Sequence, residues 1–266
     1  MKRLVNGFRL FWQGAMLGYV ALFAWFRPIQ YAASKIVMPL TQIFFFVFLG
    51  TFATGVDNAS FYVIGNSLQI AAVSGIYGVT MSIGGERWAA TLPYLFGAPA
   101  NRMLIFLGRA SMNIIDGAIG VVIAFIWGVT LLGLNLSHTD LAALALTIFI
   151  TTLSTCGFGL LLGSIALITV NVMFINNLVY FMLLIFSGAN IPLLQLPAWM
   201  QAISSVLPLT RGIAAARMLI AGGTLADAAP LLWGELGIGL LYSLLGYFLF
   251  AFFEALAKRR GTLELA

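Results

Sequence analysis

Apolar residues in this chain do not recur on one helical face but fill whole stretches, at about 34–55, 60–83, 104–133, 141–169, 172–190 and 229–256. Each run approaches or exceeds the roughly 20 residues that carry an α-helix across a hydrocarbon layer. Stretches such as 104–132 are apolar all round, unlike the alternating strands of about ten residues that build a membrane barrel. The pattern predicts an all-α integral membrane protein with six transmembrane helices in a single domain over residues 1–266. Two starts carry a Ser/Thr-x-x-Asp capping signature, Ser137 with Asp140 and Thr224 with Asp227.

Three segments between or beside these runs read differently. In 1–33, Asn6, Arg9 and Gln13 share one face while Phe8, Phe11, Trp12, Tyr19, Trp25 and Phe26 suit the headgroup boundary. This predicts an amphipathic interfacial helix at the N-terminus, the alternative being a seventh span over 4–26. Segment 84–103 has charge at both ends and prolines at Pro93 and Pro99. Segment 191–228 is divided by Pro192, Pro197 and Pro208, which leaves two short helices near 198–206 and 210–221 with a stop at Gly222-Gly223. Being too broken to span, these two are expected to lie at or dip into the outer leaflet, as short re-entrant helices before the sixth span.

Composition agrees: 62% of residues are hydrophobic and 8% charged, against about a quarter charged in water-soluble domains. Mean hydropathy is +1.04. The net charge of +5 arises from short basic clusters at the ends of apolar runs, which sets topology and does not build a nucleic-acid surface. Lys2, Arg3, Arg9, Arg27, Lys35, Arg87, Arg102, Arg109, Lys258, Arg259 and Arg260 fall on one side, Arg211 and Arg217 on the other. Eleven against two predicts that both termini and the 84–103 loop face the cytoplasm. The single Cys156 excludes an intramolecular disulfide. Lys2 and Arg3 precede an apolar stretch without a small-x-small cleavage site, so no signal peptide is expected.

The loop reads GGERWAATLPYLFGAPANR over 84–102. It is either a plain surface loop whose Arg87 and Arg102 anchor helix ends, or a docking element, because Trp88, Leu92, Tyr94, Leu95 and Phe96 offer more apolar surface than a solvated loop needs. Glu86, Arg87, Thr91, Leu92, Leu95 and Pro99, followed by Arg102 and the Gly108-Arg109 pair, resemble the pattern E-R-x-x-G-T-L-E-x-L-L-x-x-P of the transmembrane subunits of ATP-binding-cassette exporters, the ABC type-2 permease class. Ala90 stands for the glycine, Pro93 for the second glutamate and Phe96 for a leucine. Pro93 either breaks a helix interior or restarts a helix in its first turn. The resemblance implies a cytoplasmic coupling helix between spans two and three that enters a groove of a partner ATPase.

The segment before the last span resembles the same class in S-G-x-x-x-P-x-x-x-L-P-x-W followed by P-L-T and an arginine. The matching residues are Ser187, Gly188, Pro192, Leu196, Pro197, Trp199, Pro208, Leu209, Thr210 and Arg217. Trp199 reads either as an interfacial anchor or as part of an exit path. Arg211 and Arg217 either snorkel to headgroups or meet a substrate.

Charges at membrane depth need a partner or water. Arg109, Asn113 and Asp116 share a face of span three, so Asn113 is placed to bridge the two charges. Glu235 either reaches the outer surface or serves a cation or proton. Asn171, Asn176 and Asn177 at the start of span five are expected to join helices, as is the close-packing pair Gly159 and Gly163. Phe44, Phe45, Phe46 and Phe48 read as lipid-facing or core. The resemblance implies that spans one and five meet across a dimer, where part of this cluster lines the path.

No phosphate-binding G-x-x-x-x-G-K-[ST] loop is present. Through the resemblance, the expected function is the permease subunit of an exporter in a prokaryotic cytoplasmic membrane, paired with a second, identical or different, permease subunit. This chain is expected to bind no cofactor, with ATP and Mg held by a separate ATPase subunit. The expected substrate is amphiphilic, drug-like or lipid, the alternative a polysaccharide or lipid-linked glycan. A competing class, a membrane enzyme acting on lipids, rests on His138, Asp140, Asp116 and Glu235, which offer no paired carboxylates, metal spacing or triad. A passive channel or secondary transporter is the third.

Overall fold

The computed structural model describes residues 2–24, 28–89, 91–97, 101–169 and 171–260. Pro99, Arg27, Trp25, Phe26 and Ala90, all named above, lie outside them, and the side chains of Lys2, Arg3, Asn6, Leu92, Pro93, Phe96, Lys258, Arg259 and Arg260 are not described. The described chain is helical: α1 (Lys2–Ala24), α2 (Pro28–Thr54), α3 (Ala59–Ala72), a π-helical turn Val73–Gly78, α4 (Val79–Trp88), α5 (Leu92–Gly97), α6 (Arg102–Leu132), α7 (Leu141–Ile165), α8 (Val172–Phe186), α9 (Ala198–Val206), α10 (Thr210–Ile220) and α11 (Leu225–Arg260). Five stretches are long and apolar enough to cross a membrane: 29–54, 56–88, 102–132, 141–165 and 225–256.

Side-chain contacts set the direction of each run. Lys35 meets Ser74 and Gly50 meets Tyr62, so α2 runs antiparallel to α3–α4. Gly117 faces Ser74 and Gly128 faces Val63, so α6 is antiparallel to it as well. Gly159 lies against Gly75 and Gly163 against Ile83, which turns the predicted glycine pair into a close seam with the π turn and α4. Gly157, Gly239 and Gly246 let α7 and α11 approach backbone to backbone, side by side in the same direction.

The expected fifth span, 172–190, is a correction in part. Helix α8 has 15 residues, about 22 Å, less than a hydrocarbon core of about 30 Å. Yet Val172 packs beside Gly84 and Ala189 beside Gly65, 19 positions or about 28 Å along α3–α4. The helix and the turn at 187–190 together therefore follow that run across most of the layer. Six traverses thus alternate, and α1, the 84–103 loop and the last turns of α11 gather at one end, the loop end.

The long helices exceed the thickness of the layer. Helix α6 has 31 residues, about 46 Å, some 16 Å more than the core of the bilayer. Helix α1 crosses the first turns of α6 obliquely: Gly7 touches Leu104 and Gly18 reaches Arg109, so about 16 Å of α1 passes over only about 8 Å of α6. A Cβ at Gly14 or Gly108 would strike the facing backbone, so these glycines permit the crossing. Helix α1 is not among the stretches that pass as membrane-crossing by length and composition.

At the other end α9 and α10 meet at a 90° bend. Residues Leu209 and Gly212 sit against Glu235, and Gly212 also against Thr151. Those two partners are each ten residues, about 15 Å, inside the starts of α11 and α7. Ala215 and Leu219 then climb back to pack with Ala143, Ala228 and Leu232 near those starts. The pair enters and leaves by the same end, as the prolines predicted. Leu209 at the bend takes a left-handed φ of 75°, uncommon for a branched side chain and held by full burial.

Asp227 and Thr224 form the predicted capping box, with Asp227 Oδ2 accepting from the Thr224 amide at 2.9 Å. At α7 the cap is Asp140 alone, which accepts from the Ala142 and Ala143 amides, while Ser137 stays outside it, its amide donating to Asn135.

Candidate coupling site and the polar networks behind it

The described parts of segment 84–103 are anchored at both ends. Glu86 pairs with Arg109 of α6 at 2.5 Å and accepts the Thr91 hydroxyl, so it ties the end of α4 both to α6 and to the start of α5. Arg109 also donates to the Ser82 carbonyl at 3.0 Å. Arg87 is buried and donates to the Leu167 carbonyl at 2.9 Å, which satisfies an orphan acceptor just past the C-terminus of α7. Arg102 donates to the Leu95 carbonyl and pairs with Glu254 of α11 at 2.7 Å. Asn101 caps α6 through the Leu104 amide.

The sequence grouped Glu86, Arg87, Thr91, Leu95 and Arg102 with Trp88 as partner contacts, but the structure turns most of them inward. Leu95 packs against the cluster around Phe106 and Phe250. Trp88, 51% exposed, and Tyr94, 81% exposed, face outward. Pro93 falls in the first turn of α5, so the helix restarts there and is not broken.

A second network lies deeper, at the midpoint of α6. Asp116 accepts from Lys35 Nζ at 2.5 Å, from Ser74 Oγ at 2.6 Å and from the Tyr31 hydroxyl. The expected bridge through Asn113 to Arg109 is not what forms. Asn113 donates to the Arg109 backbone carbonyl and its amide oxygen faces Gly78, while the Arg109 side chain turns to Glu86. Lys35, counted as a flanking charge, instead supplies the counter-charge that a carboxylate at this depth requires. The Ser74 contact depends on the π turn, a feature no apolar pattern announced.

Tyr77, also on that turn, donates to Asn177 at 2.8 Å on an exposed face of α8. Asn176 beside it is fully buried. Asn171 caps nothing with its side chain.

The third network holds the bent pair. Ser187, fully buried, donates to Gln69 at 3.3 Å, and Asn190 accepts from Asn66 at 2.8 Å. Gly188 makes the turn at a φ of 80°, a value that suits glycine. Arg217 donates to the Phe61 and Ala189 carbonyls and stacks 3.5 Å from the Phe61 ring centre. Arg217 thus ties α10 to the start of α3 and to the turn after α8. Glu235 is not at the surface. It is fully buried and accepts from the Leu209 amide at 2.8 Å and the Gly212 amide at 3.2 Å. A carboxylate from α11 therefore caps α10, at the end where its dipole favours negative charge.

The family model for the ABC-2 type transporter matches residues 14–220, which takes in the loop, the Lys35–Asp116 network and the bent pair, while Glu235 and Glu254 lie beyond it. The chain belongs to the ABC-2 type transporter family. Comparison with curated proteins finds no match.

As an ABC-2 permease, the chain is a multi-pass membrane subunit of transport and not itself the catalytic one. Permeases of this family generally work with ATP-binding-cassette ATPases. In that light the motif residues divide in two. Pro192 and Pro197 bracket the short turn before α9, and Pro208 is buried at its bend with Thr210. Trp199, 60% exposed, alone among the motif's large side chains points out. Sequence reasoning missed Tyr31, Ser74, Asn66, Gln69 and Asn190. The buried amides on α3 carried one readable signal, polar residues inside an otherwise apolar run.

Proposed function

We propose that the chain is the permease half of an ABC exporter, and that segment 84–97 is the element on which its ATPase acts. The anchoring of this loop is the observation that carries the reading. Glu86, Arg87 and Arg102 fasten it to α6, α7 and α11 respectively, so force applied at the outward Trp88 and Tyr94 passes directly to three membrane helices. A cytoplasmic loop end is supported by the basic flanks, ten against two once Lys35 is set aside as an ion-pair partner. Helix α1 then lies along the cytoplasmic surface of the membrane.

Two such subunits enclose the path. Tyr77 and Asn177 form a hydrogen-bonded pair on a face otherwise made of exposed Phe174, Leu178 and Phe181. Polar groups facing acyl chains are costly, which favours a second permease subunit and a watered path on this side of α8, with Phe45 and Phe48 of α2 nearby in the seam. An aromatic seam with a few hydrogen-bonding groups suits an amphiphilic, drug-like or lipid substrate. ATP and Mg are held by the ATPase, whose closure shifts the helices between inward- and outward-accessible states.

The test is reconstitution with a candidate ATP-binding-cassette ATPase. Stable association, ATP-dependent export and loss of both on Trp88→Ala with Tyr94→Ala are expected. Solute movement without any ATPase, or an ATPase that binds the double variant unchanged, would overturn the reading.

A further inference from the structure

The face of α8 that carries Asn177 holds more hydrogen-bonding capacity than the fold uses. The Asn177 amide oxygen takes the Tyr77 hydroxyl at 2.8 Å, and among the described residues its amide nitrogen has no partner. Gln42 of α2 stands beside the Tyr180 hydroxyl with its own Nε2 buried and unpartnered. The Tyr180 ring packs edge-on against Tyr77, centres 5.8 Å apart. Asn176, on the inner side of α8, is fully buried with both amide atoms unpartnered. Gln42 is at the midpoint of the stretch 29–54, and Tyr77 lies about 8 Å from the midpoint of 56–88, a depth at which unused donors and acceptors are most costly.

We infer that Gln42, Tyr77 and Asn177 form a substrate-selecting site for an electroneutral amphiphile, one whose polar part is an uncharged hydroxyl or amide group on an apolar body. The assignment rests on the exporter reading in one respect, that this side of α8 lines the path.

The absence of charge selects the class. No Asp, Glu, Lys, Arg or His occurs in 36–54, 59–78 or 172–186, the three runs that supply the site. Lys35, two turns towards the loop end on the same face of α2 as Gln42, is closed on Asp116 at 2.5 Å. An ammonium, carboxylate or phosphate entering at this depth therefore meets no open counter-charge, and the site rejects it by leaving that charge stranded. A hydroxyl or amide is met by what the site offers: amide nitrogens that donate at Asn177 and Gln42, and the Tyr77 oxygen, which still accepts after giving up its proton. Exposed Phe174, Leu178 and Phe181 beside Asn177, with Phe45 on α2, supply the apolar wall for the rest of the molecule.

Photolabelling of the chain alone in lipid nanodiscs, without an ATPase, tests it. The probes share a dodecyl chain bearing a diazirine and differ in the head, which is glucosyl, trimethylammonium or sulfonate. Labelling within 172–186 is read by peptide mass spectrometry relative to labelling on the exposed apolar face of α11, which any membrane-dissolved amphiphile meets. In that ratio the glucosyl probe is expected to exceed each charged probe at least about tenfold. Tyr77→Phe with Asn177→Leu should remove the excess while the unfolding temperature holds, because the pair lies on an exposed face. Asn177→Asp, of the same shape, should raise the trimethylammonium ratio at least about tenfold by supplying the missing counter-charge. Equal ratios for all the heads, an excess that survives the double variant, or a trimethylammonium ratio unmoved by Asn177→Asp would overturn the assignment. These outcomes stand apart from the exporter reading, which fails instead on solute movement without any ATPase.

Discussion

Glu235 decides how the charged residues inside the membrane are to be understood. Its carboxylate is the acceptor for two amides at the buried start of α10. Glu235→Ala should therefore cost about 2–4 kcal/mol, as a lost cap plus stranded donors, and should lower the unfolding temperature in detergent. Glu235→Gln keeps an acceptor oxygen for one of the two amides and is expected to recover part of that stability, with normal transport. A Gln variant as stable as the original but inactive would instead mark a proton- or cation-carrying group. The Lys35–Asp116 pair calls for a cycle of variants. Lys35→Met and Asp116→Asn should each destabilise by about 3 kcal/mol and the double variant by clearly less than their sum, because each single change strands a buried charge or donor. Additive losses would show that the pair is not coupled. Neither role was legible in the sequence, and for a definite reason. Spacing within a helix shows which residues share a face, so Arg109, Asn113 and Asp116 were correctly placed on α6. The partner of Asp116 is 81 positions away on α2, and the partners of Glu235 are backbone amides that leave no mark in the composition.

Elements were more readable where turn chemistry punctuates them. Pro192, Pro197 and Pro208 with Gly222 gave α9 and α10 nearly residue for residue, since proline and left-handed glycine act locally. The π turn at 73–78 gave no such sign, because VSGIYG is as apolar as the helix around it. The turn supplies Ser74 to Asp116 and Tyr77 to Asn177, and π-helical insertions often mark functional segments. At the loop, the inward and outward residues should behave differently. Trp88→Ala and Tyr94→Ala are expected to leave the unfolding temperature unchanged and weaken ATPase binding at least about tenfold, as truncation of exposed aromatic anchors does. Arg87→Ala should act through loss of the α7 anchor, lowering stability by about 1–3 kcal/mol and uncoupling ATP hydrolysis from transport while the ATPase still binds. If Arg87→Ala reduced binding alone, the residue would be a contact and not an anchor.

At the scale of the whole molecule, the alternating traverses were legible because lipid imposes them: apolar length sets the spans. The short α8 was not, since its traverse is completed by a turn whose polar groups are satisfied by Asn66 and Gln69. The account stands on where the outward aromatic of the loop lies. The most direct measurement places a single cysteine there, Tyr94→Cys in a Cys156→Ser chain, and labels it with a membrane-impermeant maleimide. The account predicts no labelling in intact cells, labelling in inverted vesicles, and protection when the ATPase is bound. Labelling in intact cells, or full labelling in inverted vesicles whether or not the ATPase is bound, would contradict it.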